Sequence, residues 1–169
     1  MTGSSAHPTS ITAATAPDGR LSLKSPTPIS GYVDGAWWPG SLDLAAEVPV
    51  LAAQLADRWG AVDRVSYDLA AWMPAPRQVM TSDRRIRLDG FRGRRPTDAV
   101  HISGGWRPAL TLLVIPPATE TQAARATLRR AAENGNQDSI DDLLQRETPS
   151  SSTGSDHSAS YLNPARSSR

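Results

Sequence analysis

The stretch Ala109-Leu-Thr-Leu-Leu-Val-Ile115 decides the fold, because its large apolar residues stand at both odd and even positions. Successive side chains of a β-strand point to opposite faces of the sheet, so this strand is apolar on both faces. A strand of that kind belongs in the interior of a sheet, covered on each side. Pro116-Pro117 ends it, since proline cannot donate to the hydrogen-bond ladder. The sequence therefore predicts a sheet built around a buried strand.

The other predicted strands precede this one and follow one another closely. They cover about residues 20–24, 62–72, 78–80, 84–88 and 97–102. Within them Ile86 and Leu88 face the core, while Arg85, Arg87 and His101 face outward. Short turns join most of these strands, and a short turn joins antiparallel neighbours. We therefore expect an antiparallel sheet of about five or six strands.

Helices are predicted where apolar residues recur at helical spacing. Ser41 is a suitable N-cap for the first helical region, over about 41–58, and Pro49 inside it predicts two short helices or one kinked helix. A second helix covers about 119–133, and a short last helix covers about 139–145. The order of the elements indicates an α+β fold in which the helices pack on one face of the sheet.

The two ends of the chain differ in composition from its middle. Residues 1–19 and 147–169 are rich in serine, alanine and other small or polar residues, and they have too little apolar surface to offset the entropy of ordering them. We predict that both are disordered tails. Residues 20–146 then form a single α+β domain with one core.

Composition excludes several classes of function. The chain has no cysteine and three histidines, which argues against a disulfide framework and against a first-row metal site. No apolar run approaches the ~20 residues that cross a bilayer, and no secretion signal is recognisable. The expected protein is therefore cytoplasmic, without a membrane contact, a metal or another cofactor. Its partners and oligomeric state are left unspecified by the sequence.

Residues 31–41, Gly-Tyr-Val-Asp-Gly-Ala-Trp-Trp-Pro-Gly-Ser, combine aromatic rings and one carboxylate in an irregular segment. Two interpretations are open: a binding surface, or a loop folded into its own core. Adjacent indoles at 37 and 38 are expected to point in different directions. The first hypothesis is a small non-catalytic binding or regulatory domain, and its ligand- or partner-binding candidates are Tyr32, Asp34, Trp37, Trp38, Trp72 and Arg77.

A cluster of seven arginines between positions 77 and 95 gives an alternative hypothesis, contact with an anion or a nucleic acid. Its anion-binding candidates are Arg92, Arg94 and Arg95. The cluster is equally explained by solvated charges that alternate along a strand, and no nucleic-acid-binding motif accompanies it beyond Phe91.

A third hypothesis is an enzyme of unfamiliar type built on Asp34 or His101. The chain has no nucleophile-elbow serine, no Gly-x-Gly-x-x-Gly motif and no Walker loop, so no known catalytic motif supports it. The sequence thus favours a protein that is not an enzyme, and we assign no catalytic residue.

Two motifs resemble those of a known family: Asp34-Gly-Ala-Trp-Trp-Pro39 and Leu112-Leu-Val-Ile-Pro-Pro117. The chain resembles, over roughly residues 20–145, an actinobacterial family of domains of unknown function. The resemblance implies a single domain between the tails, and it brings no reaction, ligand or catalytic residue with it.

Overall fold

A computed structural model describes residues 19–25, 31–93 and 98–144. Of the two predicted tails, residues 1–18 and 147–169 lie outside the described residues. The described segments form seven strands and three helices. In chain order they are β1 (Leu21–Leu23), β2 (Gly35–Trp37), α1 (Leu44–Ala56), β3 (Arg64–Asp68), β4 (Gln78–Met80), β5 (Arg85–Phe91), β6 (Ala99–Ser103), β7 (Leu110–Val114), α2 (Thr121–Ala132) and α3 (Ile140–Leu143).

The strands form one mixed sheet in the order β1-β2-β7-β6-β3-β5-β4. β2 pairs with β7 and β3 pairs with β5 in parallel, whereas the other four pairings are antiparallel. The prediction of an antiparallel sheet of five or six strands was therefore wrong in orientation and in number. Short turns fix only the pairing of strands that are neighbours in sequence, and both parallel pairs join strands separated by other elements.

The first helix packs on one face of the sheet, here called the α1 face. Its buried residues meet the inward side chains of β3, β5, β6 and β7 in the larger of two apolar clusters. The helix is continuous across Pro49, and its N-cap is Asp43, whose carboxylate accepts hydrogen bonds from the backbone N–H groups of Ala45 and Ala46. The Ser41 hydroxyl donates instead to Glu47. The prediction of a cap at Ser41 was wrong because this serine has another partner.

The other two helices pack on the opposite face, here called the α2 face. Leu113 of β7 points into a second apolar cluster there, which contains Ala124, Leu128 and Ala131 of α2, while Leu112 points to the α1 face. Both leucines are fully buried, which confirms the prediction of a strand covered on each side. The prediction that the helices pack on one face of the sheet was wrong, because a strand that is apolar on both faces needs a cover on each of them.

The cover on the α2 face is incomplete within the described residues. The second cluster takes strand side chains from β2 and β7 and only Ala99, the first residue, from β6. Beyond that residue the same face of β6, β3, β5 and β4 carries polar, charged and aromatic side chains. We call this part of the sheet the open face, and it is formed by Arg64, Ser66, Gln78, Met80, Arg85, Arg87, Asp89, Phe91 and His101.

Candidate functional site

Two of the predicted binding residues, Trp37 and Trp72, are part of the core. Trp37 points from β2 to the α1 face with 3 % of its surface exposed, and its ring stacks on that of Trp72 with centroids 5.5 Å apart. Trp72 reaches this position because β3 ends at Asp68, whose carboxylate accepts a hydrogen bond from the N–H of Ala70 and turns the chain. The stacked indoles thus supply core volume on the α1 face.

The other two rings of the predicted loop point elsewhere. Trp38 packs against the second cluster on the α2 face, which confirms that the adjacent indoles diverge. The Arg20 guanidinium lies 4.8 Å from the centroid of the Trp38 ring, in a cation–π contact. Tyr32 is 69 % exposed. Of the four aromatic candidates, Tyr32 is therefore the one that presents a largely exposed ring.

Asp34 is a buried residue directly before β2. Its Oδ2 accepts a hydrogen bond of 2.6 Å from the backbone N–H of Thr111, and its own N–H donates to the carbonyl of Thr111. Burial lowers the pKa of nearby Lys24, and the negative charge of Asp34 opposes that shift. Asp34 therefore joins the start of β2 to the start of β7 and places a negative charge near Lys24.

The structure does not bring the six binding candidates together. Trp37 and Trp72 lie on the α1 face, Trp38 lies on the opposite face, and the carboxylate of Asp34 is bound to the backbone of Thr111. Arg77 lies beside β4, where it lines an open groove of about 710 Å³ with Gln78, Arg85, Arg87 and Asp89. Of the anion-binding candidates, Arg92 is exposed next to the end of β5, and Arg94 and Arg95 lie outside the described residues.

Register places a row of polar side chains across the α2 face. Thr111 of β7 is opposite His101 of β6, His101 is opposite Ser66 of β3, and Ser66 is opposite Asp89 of β5. Asp34 extends the row by one strand through its hydrogen bonds with Thr111. Neighbouring strands are ~4.8 Å apart, so the side chains of the row form one continuous polar line.

His101 is held at the centre of this row. Its Nδ1 lies 3.1 Å from the hydroxyl oxygen of Thr111, so the opposite ring nitrogen, Nε2, is turned away from Thr111. The ring also faces Phe91, with centroids 6.4 Å apart and planes inclined by 36°. An exposed imidazole and a half-buried phenyl ring thus form an aromatic pair on the open face.

Two arginines lie beside the row and share one carboxylate. A guanidinium nitrogen of Arg64 lies 3.1 Å from Asp89, and one of Arg87 lies 3.5 Å from it. The three side chains are between 39 % and 66 % exposed. One carboxylate neutralises only one of the two cations, so a positive charge is left for an anionic ligand.

Sequence reasoning found part of this site. It placed Arg85, Arg87 and His101 outward, and the exposure of all three confirms it. It missed Arg64, Ser66 and Asp89 as neighbours of His101. The alternation in β3 and β5 shows which of their residues share a face, but only the pairing of β3 between β5 and β6 brings those faces together.

None of the helices in the described part of the chain has both the length and the hydrophobicity of a membrane span. A search of curated proteins and a search of solved structures each gave no match to the chain. The sequence model of DUF5994, a family of unknown function, matches residues 20–131. These residues run from β1 into the last turns of α2 and include the whole open face. The chain therefore belongs to the DUF5994 family.

Proposed function

We propose that this domain binds single-stranded nucleic acid on the open face. The proposal depends on one observation: the Phe91–His101 ring pair lies beside Arg64 and Arg87 on a sheet surface that no helix among the described residues covers. Unstacked bases pack on aromatic side chains, and guanidinium groups contact the phosphates between them. A sheet surface that has both aromatic rings and positive charge is therefore suited to binding a single-stranded nucleic acid.

The charges of the open face support an anionic ligand. The open face carries three positive charges, on Arg64, Arg85 and Arg87, and one negative charge, on Asp89. The Asp89 carboxylate pairs with Arg64 and Arg87. Because these arginines are more than a third exposed, their ion pairs contribute little to folding, and their charge is available to a ligand. The chain as a whole has a net charge of +1, so the attraction is local to this face.

The same geometry favours the arginine hypothesis over the aromatic loop. Trp37 and Trp72 are buried, and Asp34 accepts a hydrogen bond from the Thr111 backbone. Arg77 remains a candidate and Arg87 is added to it, because both line the groove along β4 and β5 at the edge of the open face. We include Arg92, which follows Phe91 directly, in the same proposed surface.

The proposal is tested by fluorescence anisotropy with a short, labelled, single-stranded RNA or DNA oligonucleotide. The Arg64→Gln, Arg87→Gln double variant removes two cations without adding negative charge, and it should weaken binding and flatten its salt dependence. For single strands the slope of log K against log salt should fall by about 1.4 when two phosphate contacts are lost. Arg129→Gln, at an exposed position of α2, is the matched control and should bind like the original chain.

Phe91→Leu tests the role of the ring separately. It keeps an apolar side chain at a half-buried position but removes the stacking surface. Affinity should fall by an amount comparable to the ~1–3 kcal/mol that one base–aromatic stack contributes. Equal affinity of all these variants, or no binding even at low salt, would refute the proposed function.

A further inference from the structure

The open face places a carboxylate, an imidazole and two guanidinium groups around one point. Asp89 and His101 are the two cross-strand neighbours of Ser66, one on each side. They are therefore two strand spacings apart, ~9.6 Å between Cα atoms. Arg64 and Arg87 form the next cross-strand pair on the same face, and both reach back to Asp89. The space above Ser66 is thus flanked by an acid–base pair and bordered by positive charge.

We propose that this face cleaves single-stranded RNA by attack of a ribose 2′-hydroxyl on the neighbouring phosphorus. The inference rests on the proposed function, because the strand must first bind on the open face. The reaction needs a base at the attacking oxygen, an acid at the leaving oxygen and cations at the phosphate. Asp89, His101 and the two arginines supply these groups from four positions of β3, β5 and β6.

The step balances within the RNA and these side chains. The Asp89 carboxylate takes the proton of the 2′-hydroxyl, and the 2′-oxygen forms a bond to phosphorus. The bond from phosphorus to the 5′-oxygen of the next nucleotide breaks, and the His101 imidazolium gives its Nε2 proton to that oxygen and becomes a neutral imidazole. The products are a 2′,3′-cyclic phosphate and a 5′-hydroxyl, and exchange with water restores both side chains.

The surroundings of His101 suit the role of a proton donor. As an imidazolium, His101 donates its Nδ1–H to the Thr111 hydroxyl oxygen and carries a second ring hydrogen on Nε2, which is turned away from Thr111. The N–H of Thr111 is in turn held by the buried carboxylate of Asp34. Thr111 therefore holds the Nδ1 edge of the His101 ring, and the Nε2 edge is left to contact the phosphate.

The arginines act on the charge that develops in the transition state. The phosphate gains negative charge on its non-bridging oxygens as the 2′-oxygen approaches, and a guanidinium can contact two of these oxygens at once. Arg64 and Arg87 already converge within 3.5 Å of Asp89, so a phosphate bound next to that carboxylate lies within their reach.

Gel analysis of an end-labelled single-stranded RNA tests the inference, with the DNA of the same sequence in parallel. The chain should cut the RNA and leave 2′,3′-cyclic phosphate ends, and it should not cut the DNA, which lacks the attacking hydroxyl. His101→Ala and Asp89→Asn should each reduce the rate at least about a hundredfold, which is typical of losing a general acid or base. Arg129→Gln, purified in the same way, should retain the full rate, whereas a contaminating nuclease would cut equally in all four preparations.

The outcomes separate this inference from the function on which it depends. Asp89→Asn keeps Arg64, Arg87 and the Phe91–His101 ring pair, so this variant should still bind RNA in the anisotropy assay while failing to cut it. Binding of RNA without cleavage by the original chain overturns the inference and leaves the proposed function intact. Equal cleavage by the original chain and the His101→Ala variant also overturns it. If the original chain binds neither the RNA nor the DNA, both the inference and the proposed function are overturned.

Discussion

The two halves of the sheet differ in how many of their faces are covered. In β7 the adjacent residues Leu112 and Leu113 are both fully buried, because α1 packs on one face and α2 on the other. In β5 buried Ile86 and Leu88 alternate with exposed Arg85 and Arg87, because the helix packing seen in the described part of the chain covers this strand on the α1 face only. The comparison teaches that one half of this small domain provides core on both faces, while the other keeps a face for solvent or a ligand.

The largest effect should come from removing an indole of the covered half. Trp37→Ala deletes a buried ring that stacks on Trp72, and we expect a loss of about 3–5 kcal/mol in the free energy of unfolding. Trp106 is 90 % exposed in the turn between β6 and β7, so Trp106→Ala should change stability by less than about 0.5 kcal/mol. Urea denaturation of both variants measures the difference, and similar losses would break the comparison.

A second pair of variants compares the two halves of the α2 face directly. Leu113→Ala opens a cavity under α2 and should cost about 2–5 kcal/mol. Met80→Ala, on the open face where Met80 is 65 % exposed, should cost less than about 0.5 kcal/mol. Equilibrium unfolding followed by circular dichroism distinguishes the two. A large loss for Met80→Ala would mean that the open face is covered in the full chain.

Asp34 joins two strands of the covered half, β2 and β7. Asp34→Ala leaves the N–H of Thr111 without its side-chain acceptor in a buried position, which should cost about 1–3 kcal/mol. Asp34→Asn keeps an oxygen acceptor at the same place and should cost less. Thermal unfolding of the two variants checks the order, and an equal loss would show that the charge of Asp34 matters more than its hydrogen bond.

The smallest effect concerns a pH dependence in the loop between α2 and α3. Hydrogen bonds from the side chains of Asn136 and Arg130 hold the pKa of Asp138 below the usual 3.8. A carboxylate with a lowered pKa stabilises the folded state above its ordinary pKa, and that contribution is lost as the pH falls through the folded-state value. The stability of Asp138→Asn should therefore fall less steeply than that of the original chain below about pH 4. Identical slopes of melting temperature against pH would contradict this.

Sequence patterns predicted the elements of this fold better than their assembly. The apolar run at 109–115 predicted a strand buried on both faces, and its burial confirms that prediction. The parallel pairing of β2 with β7 could not be predicted, because no local turn joins strands that lie more than 70 residues apart. The capping residue of α1 was missed by two positions, since both Ser41 and Asp43 fit the local pattern and only the contact with Glu47 separates them.

The candidate site was harder to predict than the fold. Asp34 and His101 were recognised as residues with chemistry, but nothing in the sequence places them in one row. That row exists because five strands from distant parts of the chain meet in one register. The burial of Trp37 was equally hidden, because β2 is only three residues long and its sequence, Gly-Ala-Trp, has no alternation that indicates the direction of the ring.

The parallel pairing of β2 with β7 has a consequence for the order in which the chain folds. Gly35 pairs with Leu112, so the inner edge of β2 has no partner until nearly the whole domain has been synthesised. Closing so long a loop is entropically costly, and contacts between distant residues slow folding. On a ribosome, β1 and β2 would emerge early and wait for β7, which makes docking of this amino-terminal hairpin a late event during biosynthesis.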